Sequence, residues 1–157
     1  MDDEKFTNIL AMNFQHRNLP MLLAQTRERV LSRFRPILNA HEITEQQWRI
    51  VRALLDTGPL EPHRIVALCG ISSPSLAGIL SRMEGLGLVT RERVPDDQRR
   101  VLVSLTDRSR DLAQRMAPGI EAIYARLGEQ VGVERLDRLY AALDELLDLV
   151  ETEPPRR

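Results

Sequence analysis

Apolar residues recur along most of the chain with the three- and four-residue spacing of amphipathic helices. The first run covers 19–37 and predicts a helix there. The second begins at Thr44, which forms the pattern of a capping box with Gln47, and it ends at Gly58. A short third helix is predicted over 61–69. The first half of the chain is therefore predicted to be helical.

A turn at Gly70 separates this short helix from a fourth one. The sequence Ser72-Ser73-Pro74 opens the fourth helix, because a Ser at the cap and a Pro just inside are strong start signals. The helix ends at Gly85 or Gly87. Its apolar face is predicted to be buried and consists of Leu76, Ile79, Leu80 and Met83.

The segment 88–105 departs from the helical pattern. Its β-branched, partly alternating residues flank Pro95-Asp96-Asp97, which predicts two strands joined by a turn. Thr106 then caps a long helix, which we expect Pro118-Gly119 to kink or split in two. The last helix, over 133–150, has a wide apolar stripe on an acidic background. That stripe is more apolar than a lone surface helix needs and indicates a partner.

The order of these elements predicts a mainly α fold with a small β-hairpin. A helix-turn-helix followed by a hairpin is a winged helix-turn-helix, here over 43–106 with the wing at about 88–105. Helices that we interpret as a dimerisation layer flank it at both ends. The first lies in 1–42, which includes an N-terminal extension, and the others lie in 107–151, before a tail at 152–157.

The charges are separated along the chain, although the formal net charge is only −1. Residues 129–153 contain eight acidic residues against two Arg, whereas residues 88–110 contain six Arg against four acidic residues. Lys5 is the only Lys, and Arg provides the planar, bidentate recognition of phosphate and guanine. A GC-rich genome produces the same excess of Arg, so this bias alone leaves nucleic-acid binding undecided.

The composition excludes several classes of protein. The 157 residues are 43% hydrophobic but include no run of 18 apolar residues, so no membrane association is expected. The acidic N-terminus lacks the layout of a secretory signal. A single Cys excludes an internal disulfide framework and a Cys-rich metal site. We therefore expect a cytosolic protein without a metal or other cofactor.

The fourth helix is the predicted recognition helix. In a helix-turn-helix, the second helix enters the major groove with its N-terminal residues facing base edges. Small residues let the backbone approach the groove, and Ser hydroxyls suit phosphate oxygens. Arg82 is the candidate for contact with guanine. The serines could also only cap and solubilise the helix, so this helix alone does not decide. The candidate DNA-binding residues are Ser72, Ser73, Ser75, Gly78, Ser81 and Arg82.

The hairpin tip carries the sequence DDQRR. A wing must hold an Arg extended toward the minor groove, whose narrow A·T-rich form attracts cations. We expect Asp97, two residues away, to hold Arg99 in that position, and Arg100 to be available for phosphate. The alternative is a solvated polar turn, since Asp-rich turns are common.

These motifs resemble those of the MarR family of bacterial repressors. DQRRVLVSLT over 97–106 fits the D-x-R-x5-L-T wing signature of that family. LSRMEGLGLVTRE over 80–92 is similar to the end of its recognition helix and the start of its wing, and ITEQQWRIVRAL over 43–54 is similar to its second helix. The resemblance covers roughly residues 19–150. It implies a homodimer with one winged helix per subunit and a near-palindromic double-stranded DNA operator.

A narrower resemblance concerns the effector. FRPILNAHEITEQQWRIVRAL and SPSLAGILSRMEGLGLV resemble the subgroup that represses homoprotocatechuate degradation operons. This likeness implies that a hydroxylated aromatic carboxylate releases the protein from DNA. An aromatic carboxylate needs a cation, hydrogen-bonding partners and a stacking wall. Arg27, Arg29 or Arg33 could supply the cation, with Arg27 preferred, and His41 and Trp48 lie nearby in sequence. An exposed Arg and a core Trp are the ordinary alternatives.

Other functions fit the sequence less well. No G-x-S-x-G elbow, Gly-rich phosphate loop or metal-binding His spacing supports an enzyme. The protein could instead regulate stress or efflux genes with a different effector or a redox input, and this alternative remains open. We interpret Cys69, however, as a small buried hydrophobic residue. A winged helix can also dock proteins. Steep salt dependence would separate DNA binding from that alternative.

Overall fold

The computed structural model describes residues 15–150 of the protein. One compact unit ends at Arg33 and a second begins at Phe34. The prediction of a mainly α fold with one small β-hairpin is confirmed. In chain order the elements are α1 (Leu19–Leu31), α2 (Arg35–Ala40), α3 (Glu45–Thr57), α4 (Pro62–Cys69), α5 (Ser73–Gly85), β1 (Val89–Val94), β2 (Asp97–Leu105), α6 (Asp107–Val131) and α7 (Val133–Leu149).

The prediction of one helix over 19–37 is wrong, because two helices occupy that stretch. The first ends at Leu31, where the Ser32 hydroxyl donates to the carbonyl of Arg29 at 2.8 Å. The second begins at Arg35, with Pro36 in its first turn. Pro has no N–H to continue a helix but suits the start of a new one. The apolar periodicity of the sequence therefore continues although the helix is interrupted between Leu31 and Arg35.

The capping box predicted at Thr44 is present. The Thr44 hydroxyl accepts a hydrogen bond from the Gln47 N–H at 3.2 Å, and the Gln47 side chain accepts from the Thr44 N–H at 3.0 Å. This cap starts α3, whose Ile50 and Val51 side chains are completely buried. α3 therefore forms the centre of the core of the second unit.

α4 and α5 form the helix-turn-helix. They are bent by 109° relative to one another across a short break. Gly70 ends α4 in the left-handed conformation, with φ of 58°, which residues with a Cβ rarely adopt. All four predicted apolar side chains of α5 are buried, with Met83 fully inaccessible. Within residues 15–150 no single helix is long and apolar enough to cross a membrane; α4 and α5 reach that length only as this bent pair.

The wing is an antiparallel hairpin. Val89 pairs with Leu105, and the register continues to Arg93 opposite Val101, after which a shift precedes the tip. Leu60 adds a third backbone segment, since it exchanges two hydrogen bonds with Val103 at 2.8 and 3.1 Å. The wing base is thus tied to the chain just before α4.

Pro118-Gly119 does not split the long helix. α6 runs without a break from Asp107 to Val131, with Pro118 inside it. Pro118 is exposed, so the carbonyl that loses its helical partner can be hydrated instead. Gly119 lies against α2, where a Cβ would come within 2.3 Å of the Cδ1 atom of Ile37. The pair therefore permits close packing of α2 on α6 without ending the helix.

Thr106 joins the wing to α6. Its hydroxyl donates to the carbonyl of Gly87 at 2.6 Å and accepts from the Ser109 N–H at 3.3 Å. Thr106→Ala removes both bonds and should lower the free energy of unfolding by about 1–2 kcal/mol. Thr106→Ser keeps the hydroxyl and should lose less than half of that. Urea unfolding at one fixed protein concentration measures both, and an Ala variant as stable as the wild type would contradict this role.

Candidate nucleic-acid interface and ligand cavities

The N-terminal half of α5 is exposed and rich in hydroxyl groups. Ser72 occupies the N-cap as predicted, but its hydroxyl donates to the Ser75 hydroxyl at 2.8 Å and not to a backbone group. The first N–H groups of α5 therefore have no side-chain cap and can donate to an oxyanion. All six predicted DNA-binding positions of this helix are exposed, namely Ser72, Ser73, Ser75, Gly78, Ser81 and Arg82.

Arg82 projects along the same face. A Cβ at Gly78 would lie 3.5 Å from its Nη1 atom, an ordinary van der Waals contact, so the guanidinium lies back over Gly78. Two residues after Arg82, the carboxylate of Glu84 accepts a hydrogen bond from the Nε of Arg91 on β1 at 3.0 Å. That hydrogen bond lowers the pKa of Glu84 below its usual value. The end of α5 is therefore linked to the first wing strand by an ion pair.

The wing tip differs in detail from the prediction. The carboxylate of Asp97 accepts from the backbone N–H of Arg99 at 3.1 Å, and thus does not hold the guanidinium itself. The spacing of two residues brings the carboxylate back onto the backbone, as in an Asx turn. The guanidinium of Arg99 is exposed and makes no hydrogen bond or ion pair within the described part of the chain. It is available to a ligand outside the subunit.

Arg100, in contrast, is already paired, which corrects the expectation that it is available for phosphate. Its Nε donates to the carboxylate of Glu61, the N-cap residue of α4. The Arg100 side chain is 56% exposed, whereas Glu61 is only 18% exposed. The other carboxylate oxygen of Glu61 lies 3.3 Å from Nδ1 of His63. A phosphate group would have to compete with Glu61 for Arg100.

Removing that competition should strengthen DNA binding. Glu61→Gln leaves the cap of α4 unchanged, because the Glu61 side chain makes no capping hydrogen bond. Since an exposed ion pair contributes about 0.2–1 kcal/mol, we expect a roughly two- to fivefold higher affinity for a DNA duplex. Glu129→Gln on α6 makes the same change of charge far along the chain and serves as the control. Equal or weaker binding by Glu61→Gln, measured by fluorescence anisotropy, would contradict the competition.

A first cavity, which we call the α3–α6 cavity, has a volume of about 330 Å³ and lies between these two helices. Trp48 and Arg52, one turn apart on α3, form one wall, and Arg110 and Gln114 of α6 form part of the other. Arg52 is paired with Asp56 at 3.4 Å in an exposed arrangement. The remaining lining residues of the cavity are Leu55, Ala113, Ala117, Ile120 and Glu121.

Tyr124 lies one turn beyond Ile120 on α6 and is not among the lining residues of this cavity. Its ring packs on Phe34, with the ring centroids 5.2 Å apart. Burial raises the pKa of Tyr124, and the charge of Arg52 opposes that shift. The α3–α6 cavity itself combines an indole and two guanidiniums.

A second cavity, which we call the His41 cavity, has a volume of about 260 Å³. It lies between the end of α2, the junction of α5 with the wing, and α6. Its lining consists of Ala40, His41, Glu42, Ile43, Leu86, Leu88, Arg108, Leu112 and Arg115.

The structure does not bring His41 and Trp48 together in one cavity. Trp48 and His41 line different cavities, because α2 and α3 present them to different parts of α6. Arg27 is an exposed residue of α1, in the first compact unit. Arg52 and Arg110, which line the α3–α6 cavity, are not among the residues predicted from the sequence. The spacing of four between Trp48 and Arg52 on one helix was the signal that could have identified Arg52.

Comparison with known proteins decides the family. The sequence model of the MarR family matches residues 41–100. The homoprotocatechuate degradative operon repressor of Escherichia coli is 40% identical over 134 residues, which are 85% of this chain and 90% of that repressor. The chain belongs to the MarR family. It is a DNA-binding transcriptional regulator with a winged-helix fold, and its relatives are regulators and not enzymes.

Solved structures support the same assignment. Transcriptional regulator PA4135 superposes with a TM-score of 0.84 at 39% identity, over 87% of this chain and 100% of that one. NadR in complex with 4-hydroxyphenylacetate superposes with a TM-score of 0.80 at 37% identity, over 88% of this chain and 99% of NadR.

The MarR wing signature now divides into two physical roles in this chain. Leu105 is buried at the base of the wing and Thr106 caps α6, so the end of the signature holds the wing on the helix. At the beginning of the signature, Asp97 fixes the backbone at Arg99 and so shapes the tip of the wing. The guanidinium of Arg99 is exposed at this tip.

Cys69 belongs to the core of this MarR chain. Its side chain is buried, and its thiol donates weakly to the carbonyl of Arg49 at 3.7 Å. The Arg49 guanidinium in turn donates to the Cys69 carbonyl. Burial raises the pKa of the Cys69 thiol, which favours the unreactive protonated form. Within residues 15–150 no group of three His, Cys, Asp or Glu side chains is placed to hold a metal ion.

Proposed function

We propose that the protein is a homodimeric repressor of an aromatic-acid catabolic operon and that a hydroxylated aromatic carboxylate releases it from its operator. The relationship to the homoprotocatechuate operon repressor supports the target, and the ligand of NadR supports the effector class. The observation that carries the effector assignment is the α3–α6 cavity, where Trp48 and Arg52 share one wall. The protein would then act in the bacterial cytoplasm, where the DNA of the operon lies.

DNA binding would use two elements of each subunit. α5 enters the major groove with its exposed serines and Gly78 against the backbone, and Arg82 reaches a base edge. The wing extends along the duplex, and the free guanidinium of Arg99 enters the minor groove, where narrow A·T-rich sequence attracts it. Arg100 exchanges Glu61 for a phosphate.

Dimerisation is inferred from the terminal helices. Neither α1 nor α7 has a buried residue within the single chain, although both contain many Leu residues. Such unsatisfied apolar faces mark protein interfaces. The exposed large apolar side chains of α7 and its end are Val133, Leu139, Tyr140, Leu147, Leu149 and Val150. A two-fold dimer would read a near-palindromic operator with half-sites about 34–36 Å apart.

In the α3–α6 cavity the guanidinium of Arg52 would bind the effector carboxylate, and the Trp48 indole would stack on the ring. The exposed ion pair with Asp56 is weak enough to be exchanged for the ligand. Arg110 or Gln114 would bind the ring hydroxyl. The ligand would act by favouring a dimer in which the two recognition helices no longer match the half-sites.

Arg52→Met tests this assignment. Trp48 is the only tryptophan of the chain, so its fluorescence reports directly on ligand entry into the cavity. Because hydrogen bonds to charged groups contribute about 1.5–3 kcal/mol, Arg52→Met should bind 4-hydroxyphenylacetate about 10- to 100-fold more weakly. Arg64→Met, an exposed substitution on α4, should bind as the wild type does. Unchanged affinity in Arg52→Met would exclude Arg52 as the partner of the carboxylate.

A further inference from the structure

The His41 cavity has no role in the function proposed above. It shares no lining residue with the α3–α6 cavity. Its walls come from three places in the fold: the end of α2, the junction of α5 with the wing at Leu86 and Leu88, and the first half of α6. It is therefore a separate pocket where the DNA-binding lobe meets α2 and α6.

Two guanidiniums dominate the charge of this pocket. Arg108 and Arg115 are seven residues apart on α6, which places them two turns apart on one face of the helix. Within the described residues, neither guanidinium makes a hydrogen bond or an ion pair. Asp111, between them in sequence, does not line the pocket. Both guanidiniums can therefore donate hydrogen bonds to an anionic ligand without breaking an existing ion pair.

The opposite wall offers an imidazole and a carboxylate. The Nδ1 atom of His41 lies 2.9 Å from the carbonyl of Ile37, and since a carbonyl only accepts, Nδ1 carries the proton. Glu42 has a φ of 54°, the only positive value for a non-glycine residue in 15–150. A residue in this sparsely populated conformation at a pocket edge is a feature that functional sites often contain.

We propose that the His41 cavity binds a small oxyanion, with its carboxylate or phosphate group between Arg108 and Arg115. Guanidiniums recognise both groups through paired hydrogen bonds. Two guanidiniums against one Glu42 carboxylate leave the lining with a net positive charge. Ile43, Leu88 and Leu112 are buried and give the pocket an apolar floor that suits a small organic body on the anion.

The test uses calorimetric titration of the full-length protein with inorganic phosphate and, separately, with succinate. Sodium chloride at matched ionic strength controls for general screening. We expect saturable binding of at least one anion beyond the chloride response, weakened about tenfold or more by Arg108→Met and by Arg115→Met. Arg126→Met, on the same helix but outside both cavities, should bind as the wild type does. Binding of phosphate but not of succinate would identify a phosphate group as the ligand. Binding of succinate but not of phosphate would identify a carboxylate.

A second measurement keeps the test decisive if one variant does not fold. The chain has three histidines, so the His41 imidazole resonance can be assigned by His41→Gln. The bound anion should shift that resonance in the wild type, whereas chloride should not. Responses equal to those of chloride, or binding that both Met variants retain in full, would overturn the proposal. Neither result depends on DNA binding or on the aromatic effector, so this site and the proposed function fail independently.

Discussion

Replacing Arg99 by Ala should weaken binding to an operator duplex by about a hundredfold or more. The guanidinium of Arg99 is exposed and unpaired within the described chain, and the Asp97 carboxylate fixes the backbone that presents it. The loss of one Arg contact costs about 1–3 kcal/mol, and a dimer loses two of them. Fluorescence anisotropy with a labelled duplex from the region upstream of the gene measures the change.

Arg93→Ala is the matched control for this prediction. Arg93 lies in the same wing, but its guanidinium donates to the carbonyl of Gln98 at 3.2 Å and is thus engaged within the hairpin. We expect a clearly smaller loss of affinity than for Arg99→Ala. If Arg99→Ala bound the duplex within twofold of the wild type, the hairpin tip would be only a polar turn.

Leu147→Glu should prevent formation of the proposed dimer and abolish tight operator binding. Leu147 is 76% exposed in the single chain, on the apolar stripe of α7. If that stripe packs against a partner, an unpaired carboxylate there costs several kcal/mol. The molar mass by light scattering should fall from twice the chain mass to the 18.0 kDa of one chain. DNA affinity should fall by orders of magnitude, because each monomer contacts only one half-site.

Two controls accompany this variant. Leu147→Met keeps the volume and polarity of the side chain and should remain dimeric with full DNA affinity. Asp137→Asn alters a charge on the same helix without entering the apolar stripe. A Leu147→Glu protein that stays dimeric at micromolar concentration would show that α7 does not form the interface.

Local sequence signals predicted the DNA-binding lobe well. The capping pair Thr44 and Gln47, the opening of α5 at Ser72 and the hairpin over 89–105 all depend on residues a few positions apart. Such interactions can be inferred from spacing because the backbone geometry of a helix or turn fixes their distances. The buried face of α5 followed from the same periodicity.

Interactions between distant segments could not be predicted in this way. Arg100 and Glu61 are 39 positions apart, and only the packing of β2 beside the start of α4 brings them together. The division of Trp48 and His41 between two cavities likewise depends on the path of the chain between α2 and α3. The continuity of α6 through Pro118 reflects an exposed position, which the sequence alone does not reveal.

Titration of a labelled upstream duplex with the wild-type protein, at two salt concentrations and with aromatic acids, tests the central claim most directly. The acids are homoprotocatechuate, 4-hydroxyphenylacetate, protocatechuate and salicylate. We expect tight binding that falls by about 10³–10⁵ between 50 and 200 mM salt, as several phosphate contacts require. One of the hydroxylated acids should then release the DNA. Binding no tighter than to a random duplex, or tight binding that all four acids leave unchanged, would contradict it.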